Sequence, residues 1–155
     1  MDETRSRAIA WSRQLAEVHA RLLDRVDALR DGSDGSADLL THCLSFCSAL
    51  TTHHEGEDGG LFAELVRARP DLAATVAALR EDHQLIENIV DAVRTLAAES
   101  AQAAAERRAA IRAELDGLAA IMESHFRYEE RAIGAALDGG IEDTGWTRPV
   151  FAPPG

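Results

Sequence analysis

The sequence predicts an all-α fold, an up-down-up-down four-helix bundle followed by an irregular C-terminal tail. Three observations carry that prediction. Ala, Leu, Arg, Glu and Asp dominate the 155 residues while aromatics make up 5%, a composition of good helix formers. The four prolines are confined to Pro70 and the tail. Apolar residues recur at alternating intervals of three and four along four long stretches, and the connections between them are short enough to bring each helix back antiparallel to the last. Residues 1–140 read as one domain, long enough for a sizeable core, and residues 141–155 as a tail packed on it.

The first helix is predicted from about Glu3 to Arg30, with Ala8, Ser12, Leu15, His19, Leu22, Val26 and Leu29 on one seam. His19 stands where a leucine would be expected. Asp31 to Ser36 is a loop of small, turn-forming residues. The second helix spans about Ala37 to Arg69, with Leu39, Cys43, Phe46, Leu50, His53, Glu57 and Leu61 on a broad face, and must stop before Pro70. Gly56, Gly59 and Gly60 inside it each cost about 1 kcal/mol relative to alanine. They suggest a bend, a close backbone approach or an opening there. The third helix, about Asp71 to Ala98, places Val76, Leu79, His83, Ile86, Val90 and Val93 on its seam. The fourth starts near Ser100, a candidate N-cap. It carries Ile111, Leu115, Leu118, Met122, His125, Glu129, Ala132 and Ala136, and ends at Gly139-Gly140. In the tail, Trp146 and Phe151 are expected to lie against the bundle.

Histidines on these seams are the chemically informative feature. His53 and Glu57, His83 and Glu87, and His125 and Glu129 are each four residues apart, so each pair shares a helix face and can grip one ion. Measured from Pro70, His53 and His83 lie about 13 to 17 residues up their helices, and His19 and His125 fall within a turn or two of that level. Burying carboxylates without partners costs several kcal/mol each, a penalty that bound dications remove. Four imidazoles with two or three carboxylates exceed one tetrahedral zinc site. Mixed nitrogen and oxygen donors suit iron or manganese, with carboxylates able to bridge a pair of ions; two iron ions fit best. The candidate metal ligands are therefore His19, His53, Glu57, His83, Glu87, His125 and Glu129. His54 is a lesser candidate, because adjacent helical residues diverge by about 100°. His42 reads as a surface residue, Tyr128 as a neighbour of the site, and Trp11 and Trp146 as packing.

The net charge of −11 argues against nucleic acid or an anionic membrane as partner. No signal peptide and no membrane span is evident. Cys43 and Cys47, four apart on one helix, would form only a local bridge, so a reducing cytoplasm is the expected setting.

Taken together, His19, His53-x-x-x-Glu57 followed by Asp58 and Leu61-Phe62, Leu79-x-x-x-His83, and His125-Phe-x-x-Glu129-Glu130 resemble the hemerythrin-like proteins, the HHE cation-binding domain family, over about residues 10 to 138. The resemblance implies a bundle with a non-haem di-iron centre that binds dioxygen or its reduced forms. It also implies that Glu57 and Glu129 bridge the irons, with His19 and His53 on one ion and His83 and His125 on the other. Oxygen-carrying members have a further histidine four residues after the counterpart of His83, where this chain has Glu87. A ligating Glu87 would lower the net charge of the centre, favour the ferric state and disfavour reversible carriage. The leading expectation is binding or sensing of dioxygen, peroxide or nitric oxide. A di-iron enzyme with catalase-, peroxidase- or oxidase-like activity is the alternative. Iron storage ranks last, since storage bundles use Glu-x-x-His spacing. A sensor would need a separate redox or signalling partner, which the sequence does not identify.

Overall fold

The computed structural model describes residues 2–31, 38–98, 104–137, 139 and 141–151. The expected loop at Asp31–Ser36, the N-cap at Ser100 and the terminal Gly140 fall wholly or largely outside the described residues. So do the side chains of the seam positions Ala8 and Leu39.

The chain is all-helical in these residues. Helix α1 spans Asp2–Asp31 and α2 spans Asp38–Gly56. A π turn at Glu57–Leu61 leads into α3, Phe62–Ala68. A 3₁₀ turn at Pro70–Leu72 precedes α4, Ala73–Ala98. Helix α5 spans Ala104–Leu137, and a short α6 spans Thr147–Phe151. No described helix is long and apolar enough to cross a membrane.

The stretch predicted as one helix from residue 37 to 69 is close to that in extent, but its middle is wound wider. Gly56, Leu61 and Phe62 keep right-handed helical dihedrals, and the Phe62 N–H donates to the Glu57 carbonyl, five residues back. Such π turns insert one residue into the hydrogen-bond ladder and recur at functional sites. The path breaks at Arg69, whose φ of −135° and ψ of 79° leave the helical region, as a residue before proline must.

Contacts between the long helices close a ring, α1 on α2, α2 on α4, α4 on α5 and α5 on α1. The apolar core inside the ring falls into two clusters. One combines Leu22, Val26 and Leu29 with Cys43, Phe46 and Leu50, Val90 and Val93, and Ile111 and Leu115. The other combines Leu15 and Val18 with Leu61 and Leu65, Val76 and Leu79, and Ile133 and Leu137. Each cluster draws on the late part of one helix and the early part of the next. Between them, at mid-height, lie the buried histidines with Glu57 and Glu129.

The tail is more ordered than an irregular segment. Gly145 has φ of +109°, open only to glycine at little cost. Asp143 accepts from the Gly145 N–H at 2.9 Å and from the Thr147 hydroxyl at 2.9 Å. That turn launches α6 back across the π turn. Trp146 is buried, meets Trp11 edge-on at 4.9 Å and donates its indole N–H to the Glu142 carbonyl. The glycines explain the close approach. A Cβ on Gly60 would lie 2.4 Å from Trp146 Cβ, and one on Gly56 would lie 2.9 Å from Pro149. Gly60 therefore marks a contact, not an opening; of Gly56, Gly59 and Gly60, Gly59 alone has empty space beside it.

Candidate metal centre

Two sets of donors meet at mid-height, each with its ligand atoms within 4.8 Å of one another: His19, His53, Glu57 and Glu129, and His54, His83 and His125. All seven side chains are buried. In the first set, His19 Nε2 and His53 Nε2 are 3.1 Å apart, and Glu129 Oε2 is 2.9 Å from His19 Nε2. In the second, His83 Nε2 and His125 Nε2 are 3.0 Å apart. Glu57 Oε1 lies 3.3 Å from His53 and 3.4 Å from His83. Glu129 Oε1 lies 3.7 Å from His125 and 3.9 Å from His83. Both carboxylates thus stand between the two imidazole sets.

The helices explain why. At about 100° per residue, His53 and His54 diverge by roughly the angle a corner helix needs to face two neighbours. His53 reaches His19 of α1, and His54 stacks on His83 of α4, ring centroids 3.9 Å apart. Glu57, at about 40° from His53 by the same count, points between them. The divergence that made His54 a lesser candidate is what places it in the second set.

Glu87 is not brought into either set. Its carboxylate accepts from the Thr51 hydroxyl at 2.9 Å and from Arg94 at 2.9 Å, and it is about a third exposed at 32%.

Each of four histidines donates Nδ1–H to an oxygen, leaving Nε2 to face the interior. His83 donates to Asp58 at 2.8 Å, His125 to Asp82 at 3.0 Å, His19 to Glu130 at 3.0 Å and His53 to the Val150 carbonyl at 2.7 Å. Such acceptors fix tautomer and ring orientation and raise the basicity of a ligating imidazole. Three of these acceptors are acids next in sequence to a candidate ligand: Asp58 follows Glu57, Asp82 precedes His83, and Glu130 follows Glu129. Each serves the histidine of the next helix around the ring. Adjacency of an acid to a seam residue was the available signal; the Val150 carbonyl leaves none in the side-chain sequence.

Electrostatics shows the strain of this cage. Burial and the Glu129 carboxylate push Glu57 well above the usual carboxylate range. Burial opposes a charge on His19, but Glu129 overrides it and holds the imidazole up to about 9. Burial, reinforced by charge on His19, pushes His53 down to about 3. Burial and the surrounding imidazoles also keep His54 well below its ordinary value. Neither nitrogen of His54 and none of the four oxygens of Glu57 and Glu129 makes a well-aligned hydrogen bond. The 2.9 Å approach of Glu129 to His19 is close in distance but poor in direction. Buried polar atoms are otherwise almost always partnered, so these orphaned atoms, soft and hard donors mixed and converging on two points, fit a pair of cations.

A cavity of about 180 Å³ is lined by Thr51, Asp58, Arg80 and Glu87 with His54 and His83 at its base. A second groove, of about 440 Å³, joins Asp82 and His125 to Tyr128, which is 40% exposed. His42 is exposed, and Cys43 and Cys47 are buried free thiols.

Residues 12–137 match the family model described as the hemerythrin HHE cation binding domain. No curated protein and no solved structure matches the chain significantly.

Proposed function

Because this chain belongs to the hemerythrin family of HHE cation-binding domains, we propose that it holds two iron ions inside an up-down-up-down four-helix bundle. The alternation of early and late helix segments in the two core clusters supports that topology. In this reading His19 and His53 would hold one ion, His54, His83 and His125 would hold the other, and Glu57 and Glu129 would serve both. The observation that carries it is the pair of fully buried carboxylates lying without hydrogen bonds between two sets of imidazoles.

Five imidazoles and two carboxylates would surround the pair, with Glu87 outside. Two ferrous ions would then keep a net charge of about +2, and the extra anionic donor that would favour the ferric state is missing. The proposed role is accordingly reversible binding or sensing of dioxygen or a related small molecule such as nitric oxide. When bound, the iron pair supplies the electrons and the open coordination position for that ligand. The chain's own residues keep the rings oriented through Asp58, Asp82, Glu130 and Val150. Phe126, stacked on His19 with centroids 3.9 Å apart, and the two apolar clusters keep bulk water out. The alternative is a catalase-, peroxidase- or oxidase-like enzyme, which the polar cavity above His54 and His83 favours as a route for peroxide.

Optical spectra of the reduced, iron-loaded protein test this. A visible band that appears with dioxygen and vanishes on its removal supports binding. Rapid turnover of added peroxide without such a band supports the enzyme.

A further inference from the structure

Three helices around the ring pass an acid to the next helix's histidine, but α1 does not. The neighbours of His19 in sequence are Val18 and Ala20, and among the described residues no carboxylate of α1 pairs with His53 Nδ1. The vacant position is filled by the Val150 carbonyl at 2.7 Å, from a segment beyond the family match. Resting on the di-iron reading above, we propose that residues 141–151 are a strap that completes the metal cage, holding His53 in its ligating orientation, and that strap docking is coupled to occupancy of the His19–His53 centre.

The strap is built for one seat. Asp143 and Gly145 form its turn, Trp146 lies against Gly60, and Pro149 and Val150 lie against Gly56, where a Cβ would come within 2.9 Å and 3.1 Å of them. These contacts fall on the residues just before and within the π turn that carries Glu57. The docked strap therefore sets both the His53 ring and the backbone beside the bridging carboxylate. Coupling is reciprocal by thermodynamic necessity: a strap that tightens iron binding is itself held down by iron. Loss of iron from that centre then loosens the strap, which gives the domain a way to report its state to a partner.

The experiment uses the full-length chain loaded with iron, and a matched pair of substitutions. Gly60→Ala drives a methyl group into the backbone-proximal part of Trp146, whereas Gly59→Ala makes the same change one residue away into open space. Trp146→Ala removes the anchor without altering the π turn, and circular dichroism checks that each variant is folded. Iron release to a ferrous chelator is followed, together with amide exchange of residues 146–151 with and without iron. The expected result is release of one ion per chain about 10- to 100-fold faster in Gly60→Ala and Trp146→Ala, the range typical of lost ligand-orienting partners. Gly59→Ala should match the wild type, and exchange in the strap should slow when iron is bound. Equal release rates in all four proteins, or strap exchange indifferent to iron, overturns the strap while leaving the cage reading intact. A wild-type chain that takes up no iron overturns both.

Discussion

His54 and His83 lie face to face, ring centroids 3.9 Å apart and planes 16° from parallel, yet neither nitrogen of His54 has a hydrogen-bond partner. A buried, unpartnered polar group costs about 1 to 3 kcal/mol. The residue is thus a liability to the metal-free fold, which a cation bound by the His54, His83 and His125 set would relieve. His54→Leu should raise the stability of the chelator-treated protein by about that amount, measured by denaturant unfolding. The same variant should lose the ion of the three-histidine set. A variant that is destabilised without metal and still fully loaded would refute the assignment.

Asp82 accepts from His125 Nδ1 at 3.0 Å and Asp58 from His83 Nδ1 at 2.8 Å. Replacing an acceptor of this kind weakens metal binding by about 10- to 100-fold in general. Asp82→Ala and Asp58→Ala should each show that loss in competitive chelator titrations. Both carboxylates are partly exposed, so the fold itself should be little affected.

The all-helical class was readable because the helix seams follow a single period. His19, His53, His83 and His125 interrupt otherwise apolar seams at one height, and Pro70 marks a break that the backbone makes at Arg69. The site was less legible, because sequence spacing assumes an undistorted helix viewed along one seam. His54 seemed to point away, since one seam does not show that a corner helix faces two neighbours at once. Glu87 repeated the four-residue spacing of Glu57 and Glu129, but spacing does not reveal that Thr51 and Arg94 wait on the flank. The part played by Val150 rests on a backbone carbonyl, which every residue has and no pattern can single out.

Glu87→Gln should leave the iron content unchanged. Its bonds to Thr51 and Arg94 lie on a partly exposed flank, where such pairs contribute about 0 to 1 kcal/mol. Metal analysis beside a thermal melt checks both halves, and loss of an ion in this variant would return Glu87 to the ligand set.

Cys47 is fully buried, and burial pushes its thiol up from 9.0 to about 12. The thiolate is the reactive form, so thiol reagents at pH 8 should label Cys47 only after unfolding. The linkage has a definite sign. A thiol that holds its proton more tightly when folded contributes its full stabilisation below pH 9, and that contribution is lost as pH rises toward 12. Cys47→Ala, compared with wild type by denaturant unfolding between those limits, should show a flatter decline.

Glu57 and Glu129 are buried without hydrogen bonds, an arrangement that two bound cations would neutralise. Iron per chain, counted by mass spectrometry on anaerobically purified protein, tests it most directly when wild type is compared with the Glu57→Ala, Glu129→Ala double variant. Two ions are expected in the wild type and essentially none in the variant. An iron-free wild type, or a double variant that keeps both ions, would contradict it.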